Sequence, residues 1–436
     1  MIADEWMHWT VYLAALLVVW VPYASVRRRR FARGLSVLSE SRALGLLEPA
    51  SLHPKIDESE CIGCASCVDA CPEEDVLGLI DGKARLVRAA NCIGHGACKR
   101  ACPVGAIELV FGTETRGVEI PLLQKDFQTS VPGLFIAGEL GGMGLIRNAV
   151  EQGRQAVESV RRRGGLGRGD QLDLLIVGAG PAGFSASLAA KAHGLRALTV
   201  EQEMLGGAVA HYPRGKIVMT GPMQLPLYGS VRLRETSKES LLELWREVER
   251  RTRPPIHYEE RMTAIERSDT GFEVLTSRGR HRARAVLLAI GRRGTPRKLG
   301  VPGEELDKVV YRLIEPEQYR DRRVLVVGGG DSALEAAARL AEDAEAEAAL
   351  CYRGSSFSRA KPRNRARVEA IAAAGRLQLL LGSEITGIER GAVHLRRSER
   401  EVSLANDAVI VCAGGVLPTA LLQAIGVAVE TKYGTA

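Results

Sequence analysis

Cysteine is scarce over most of this chain. Of nine cysteines in 436 residues, seven lie between Cys61 and Cys102, and only Cys351 and Cys412 stand elsewhere, each in an apolar strand-like run. Those two read as buried small hydrophobes, which leaves the sulfur chemistry to one stretch. Aromatic residues are also few, 5% of the chain, and no aromatic-interleaved basic stripe or recognition helix accompanies the formal charge of +7. Nucleic acid is therefore not expected as a partner; the arginines point to a membrane face and a phosphorylated ligand. At this length the expectation is about three domains of ordinary size.

Charge is missing altogether from Trp9 to Val26. A helix of that length spans about 27 Å, enough for one membrane crossing with flanking residues. Trp6, Trp9, Trp20 and Tyr23 fall near the two interfaces. Asp4 and Glu5 precede the run, and Arg27 to Arg30 and Arg33 come after it. That asymmetry predicts a single-pass anchor over residues 1–33 in the cell membrane, N-terminus outside and catalytic body cytoplasmic. A cleaved signal peptide carries its charges in the reverse order, and a buried soluble helix is the alternative. Residues 34–55, with Pro49 and Pro54, read as a linker after a short amphipathic helix.

The cysteine-rich stretch reads CIGCASCVDACP and then NCIGHGACKRACP. Cys-x2-Cys-x2-Cys-x3-Cys-Pro holds iron–sulfur clusters, and in two-cluster ferredoxins the fourth cysteine of each run serves the other cluster. Cys61, Cys64, Cys67 and Cys102 are thus expected to hold one [4Fe–4S] cluster. Cys71, Cys92 and Cys98 are expected to hold a second, [4Fe–4S] or [3Fe–4S], with His95 standing where a cysteine should. Two readings of His95 stay open: an imidazole ligand, which raises potential as in Rieske centres, or an unligated neighbour of a three-iron cluster. Paired Cys-Pro endings argue against a structural zinc site or a disulfide framework. Such ligands must stay reduced, which places the body in a reducing compartment. Between the runs, VLGLIDGKARLV alternates about Asp81-Gly82, a hairpin signal inside a module over 56–111.

Two glycine turns come next. LDLLIVGAGPAGFSASLAAKAHG is a strand, the turn Gly178-Ala179-Gly180-Pro181-Ala182-Gly183, and a helix, with Glu201 closing the next strand. Glycine lets the backbone approach a pyrophosphate at the helix N-terminus, and the acid accepts from a ribose hydroxyl. RRVLVVGGGDSALEAAARLA repeats the pattern through Gly328, Gly330, Asp331 and Ser332. Its second strand ends in no acid but in Arg353, with Arg359 and Lys361 close behind. Arginine there accommodates a 2′-phosphate, so this site leans to NADPH over NADH.

GAGPAG, LLAIGRRGTP, GVPGEE, VVGGGDSALEAA and VPGLFIAGE together resemble the thioredoxin reductase-like family of two-dinucleotide-binding-domain flavoproteins, from about Glu114 to the C-terminus. The resemblance implies FAD at the first turn and NADPH at the second, on two Rossmann-like α/β domains beside a small α+β ferredoxin module and the transmembrane helix. It implies FAD contacts at Gly138, Glu139, Gly178, Gly180, Pro181, Ala182, Gly183, Glu201, Gly206 and Gly291. Gly328, Gly330, Asp331, Ser332, Arg353 and Arg359 are the implied nicotinamide-nucleotide contacts. Two departures stand out. VVYRLIEPEQYRDRRVLVVGGG carries no Cys-x-x-Cys, so thioredoxin reduction by the usual thiolate route is excluded; the ferredoxin–NADP reductases and bacillithiol disulfide reductases of the family look closer. VPGLFIAGELGGMGLIRNAVEQGRQAV, normally near the family's C-terminus, here precedes the first glycine turn. That order implies a circular permutation placing the cluster module beside the flavin.

The expected domains are FAD-binding over 112–301 (a permuted piece 112–165, then 170–301), NAD(P)H-binding over 302–402, and a return to the FAD domain over 403–436. The expected function is a relay of electrons between NADPH, FAD and two clusters, to or from a ferredoxin, quinone or other redox partner. A low-molecular-weight disulfide reductase and a non-enzymatic membrane redox sensor are the alternatives. Hydride transfer between stacked rings needs no acid–base pair, so no catalytic residue is assigned, and a homodimer is left open.

Overall fold

Residues Ile2–Ala43 form one helix of 42 residues in the computed structural model, which describes residues 2–49, 52–142, 144–167, 169–212, 214, 217–219, 221–233, 235–292, 295–357, 360–398 and 400–435. The expected membrane anchor is corrected here. Among the described residues, no helix is long and apolar enough to cross a membrane. The uncharged run passes directly into Arg27–Arg30 within the same helix. The span over 1–33, its outside N-terminus, the cell-membrane location and the cytoplasmic body inferred from it all fall with that finding.

The C-terminal part of this helix packs on the cysteine-bearing module. Gly34, Val37 and Ser41 are buried at the three- and four-residue spacing of one helix face. Val37 packs with Ile80 and Val87, and Arg88 donates to Glu40 at 2.6 Å. The chain thus divides into one unit of Met1–Gly117 with Tyr433–Ala436 and a second of Val118–Lys432.

Within the first unit, strands His53–Ile56 and Ile107–Val110 pair antiparallel. Leu77–Ile80 and Lys83–Leu86 form the expected hairpin. Asp81 and Gly82 both take positive φ, 51° and 76°, which is the turn whose twist matches paired strands. Short helices Ser66–Asp69 and Ala97–Ala101 lie within the two cysteine runs. Phe111 bridges to Thr435, so residues near the C-terminus complete this unit.

The second unit contains two nucleotide-type sheets. The first runs Ile256–His257, Ala197–Val200, Leu172–Val177, Gly279–Leu288, Gly271–Thr276, Met262–Ser268, and Leu134–Ile136 pairs parallel with Gly279–Leu288. Parallel strands covered on both faces must be apolar throughout, and Leu134–Ile136 is wholly buried. Helix Ile146–Arg162 buries Ala149, Val150, Gly153, Ala156, Val157 and Val160. That stripe joins the core with helix Pro181–Ala192.

The second sheet is parallel, ordered Val309–Val310, Ala408–Val411, Arg323–Val327, Glu347–Tyr352, Leu377–Leu381. Ala408–Val411 is its second strand, so the second sheet runs past residue 402, where its domain was expected to end. Gly415–Val416 then pairs antiparallel with Thr295–Pro296.

Candidate functional site

At the first glycine turn, a buried strand delivers the chain into helix Pro181–Ala192, with Pro181 at its opening and no side-chain hydrogen bond at its N-cap, Gly180. The first-turn N–H groups are thus left for an anion, which fits a pyrophosphate. A Cβ on Gly183 would collide with the Gly178 carbonyl, so only glycine lets the helix back onto the strand. Buried Glu201 braces this turn: it accepts from Ala179 N at 2.6 Å and Glu203 N at 3.0 Å. Burial pushes its carboxyl up, against those backbone donors. Each oxygen retains a further acceptor position for a ribose hydroxyl.

Other expected residues converge on the same sheet edge. Gly206 N donates to Ala179 O at 3.0 Å. Gly291 comes shortly after Ala289, whose N–H bonds Val177 O at 2.8 Å. Gly138 packs closely on Ala182, and a Cβ there would lie 3.1 Å from the Ala182 methyl. Glu139 opens a short 3-10 turn, Glu139–Gly141. Gln152 was missed from sequence; its Oε1 accepts Gly138 N at 2.8 Å. The only signal was a polar residue near the buried stripe of its helix.

At the second turn, Gly328 N bonds Cys351 O at 2.9 Å. Helix Asp331–Glu342 opens at Gly330 with no side-chain hydrogen bond at its cap. Asp331 is engaged: Oδ1 accepts from Lys361 N and Asn364 Nδ2, both at 2.8 Å. Ser332 is exposed and Arg353 is exposed; Arg359 lies outside the described residues. Sequence reasoning also missed Tyr352. Its ring occupies the space where a Cβ on Gly329 or Gly354 would stand, and it stacks on Phe357 at 5.8 Å.

In the first unit, the cysteine runs bring most of their sulfurs inward. Cys61 Sγ accepts Ala84 N at 3.4 Å, and exposed Cys64 Sγ lies 3.4 Å from Ser66 Oγ. Cys71, Cys92, His95 and Cys98 line one pocket with Glu73 and Leu77. Cys102 comes after its helix in extended conformation, outside that pocket. Burial pushes the Cys67 and Cys92 thiols up to about 11, and raises Cys71 and Cys98. Soft sulfur donors facing one pocket fit iron–sulfur clusters, whose binding displaces those protons.

Residues 175–435 match a family model described as pyridine nucleotide-disulphide oxidoreductase. Residues 53–103 match a 4Fe-4S dicluster domain. The bacilliredoxin reductase Bdr of Bacillus subtilis is 27% identical over 266 residues, covering 60% of this chain and 82% of that one. The ferredoxin–NADP reductase of Thermus thermophilus is 31% identical over 274 residues, covering 60% and 78%. Among solved structures, the bacillithiol disulfide reductase Bdr of Bacillus cereus has a TM-score of 0.53 at 26% identity, covering 59% of this chain and 82% of that one.

Proposed function

The chain belongs to the pyridine nucleotide-disulphide oxidoreductase family and carries an N-terminal 4Fe-4S dicluster domain, and from that premise we propose that it relays electrons between NADPH, FAD and two iron–sulfur clusters, exchanging them with a ferredoxin-type protein or a quinone. It is a flavin-dependent NAD(P)H oxidoreductase. One observation carries the finer reading: no cysteine lies between Cys102 and Cys351. The flavoprotein body therefore has no Cys-x-x-Cys dithiol to take a hydride equivalent, and seven of the nine cysteines are grouped as cluster ligands, with only Cys351 and Cys412 elsewhere.

When bound, a nicotinamide supplies hydride, a flavin exchanges pairs for single electrons, and clusters carry them singly. The protein's part is placement. The uncapped helix beginning at Pro181, backed by Gly183 and braced by Glu201, is the FAD pyrophosphate site; Gly138, Glu139, Gly206 and Gly291 border it. The helix beginning at Asp331, with Arg353 at the neighbouring strand end, is the NADPH site. Asp331 fixes the Lys361–Asn364 segment there rather than contacting phosphate. Cys61, Cys64, Cys67 and Cys102 serve one cluster; Cys71, Cys92 and Cys98 serve the other. The segment 112–165 is a permuted piece of the flavin domain, a reading supported by the parallel seat of Leu134–Ile136 in that domain's sheet.

Likeness to the bacillithiol disulfide reductase favours a second reading, in which NADPH reduces a small disulfide and the clusters are structural. Anaerobic NADPH titration monitored by optical and EPR spectroscopy separates the two. The relay predicts flavin bleaching accompanied by a reduced-cluster signal. Bleaching without any cluster signal refutes it, and NADPH-dependent disulfide turnover after cluster removal supports the rival.

A further inference from the structure

The second cysteine run copies the first in backbone as well as spacing. Gly63 and Gly94 take φ of 67° and 73°, and Ala65 and Gly96 take 66° and 71°. Each run then enters a short helix. His95 is thus presented where Cys64 is presented, at the rim of the cavity shared by Cys71, Cys92 and Cys98. The two ring nitrogens decide what the imidazole does there.

Nδ1 lies 3.1 Å from the backbone N of Ala97. An amide N–H can only donate, so Nδ1 accepts and its lone pair is committed. The proton of the neutral ring is then on Nε2. Nε2 faces Cys71 Sγ at 3.9 Å. A metal-bound histidine has the opposite arrangement: the coordinating nitrogen presents its lone pair to the metal, and the remote nitrogen donates its N–H to an acceptor. Here the remote nitrogen receives a hydrogen bond, and the nitrogen facing the cavity carries a hydrogen.

We propose that His95 is not an iron ligand but a hydrogen-bond donor from Nε2 to the Cys71 sulfur, and that the second cluster is held by the thiolates of Cys71, Cys92 and Cys98 alone. This rests on the reading of that cavity as a cluster site. Three thiolates match a three-iron, four-sulfide cluster, in which each iron would take one cysteine ligand. Hydrogen bonds to cluster and ligand sulfurs are among the levers that set reduction potential, since they stabilise the more negative, reduced form. His95 is therefore a positioning residue that raises the potential of a three-iron cluster.

The test uses the full chain, loaded with clusters under anaerobic conditions and then oxidised, with iron and sulfide determined per chain. An oxidised three-iron cluster is paramagnetic, whereas oxidised four-iron clusters are EPR-silent. Wild type is expected to show the three-iron signal and one iron fewer than two cubanes require. His95→Ala keeps that signal and iron content but titrates at a lower potential; His95→Gln, which retains an N–H donor, recovers part of the shift. His95→Cys completes the fourth thiolate, and the three-iron signal disappears as a second four-iron cluster forms. Two full cubanes in wild type, with a directly bound histidine nitrogen in pulsed EPR that is lost in His95→Ala, overturn the proposal while leaving the two-cluster reading intact. Iron sufficient for one cubane only, in wild type and His95→Cys alike, overturns both.

Discussion

Glu260 is 2% exposed and accepts from three side chains: His281 Nε2 and Thr276 Oγ1 at 2.6 Å, and His257 Nδ1 at 2.9 Å. Burial works to raise its carboxyl, but the bonds from Thr276, His281 and His257 outweigh it and hold the group down to about 2 from an ordinary 4.5. These three ligand-type side chains, His257, Glu260 and His281, lie close enough together to admit a cation, yet the separations are those of shared protons. A depressed folded-state value means the stabilisation is fully present above about pH 4.5 and is lost as pH falls towards 2. Glu260→Gln should cost about 1–3 kcal/mol at pH 7. In urea melts, the gap to wild type should narrow once the pH drops below 4.5; a gap that stays constant would count against the carboxylate's role. This cluster was illegible in the sequence because the hairpin that brings His281 to His257 and Glu260 sets a contact no local spacing encodes. Cysteine spacings and glycine turns were legible for the converse reason: each motif is written within about a dozen residues. The direction of the His95 ring was not, since it depends on which nitrogen meets the Ala97 amide.

Helices Ile146–Arg162 and Pro181–Ala192 share one core, and Gly153 sits where a Cβ would collide with the Ala182 carbonyl. The second helix opens at the pyrophosphate turn, so the closeness of the pair sets where that turn lies. Gly153→Val should destabilise the protein by about 1–3 kcal/mol through overpacking, and should lower flavin bound per chain. Absorbance per chain and a thermal melt measure both effects; full flavin content with an unchanged Tm would show that the close approach does not matter. The strands and helices around both glycine turns were readable from apolar runs and helix starts. The N-terminal element was read as helical but misjudged in extent and purpose, because an uncharged run outweighed the buried face of Gly34, Val37 and Ser41 that begins just beyond the arginines. The strand Ala408–Val411 likewise looked like any return segment; only its pairing with Arg323–Val327 places it in the second sheet.

At the scale of the whole chain, the unit holding the cysteines ends far from where it begins. Phe111 N bonds Thr435 O at 2.9 Å, and Gly434 N bonds Phe111 O at 2.8 Å. Removing residues 433–436 should cost that unit about 1–3 kcal/mol through these lost bonds. Iron per chain should then fall while flavin per chain holds, and equal losses of both would contradict the two-unit division. Sequence suggested the unit's near boundary, but nothing in YGTA signals a strand partner for Phe111.

The same long reach shapes how the chain is made. Leu134–Ile136, with all three side chains inaccessible to solvent, pairs with Val286–Leu288. At a typical rate of about 5–20 residues per second, the ribosome takes roughly eight to thirty seconds to deliver that partner. Through that interval a strand with no polar face lacks its sheet partner, while the complete cysteine array is already made. Cluster insertion can therefore precede closure of the flavin sheet, and the nascent chain is most dependent on chaperones between those two events.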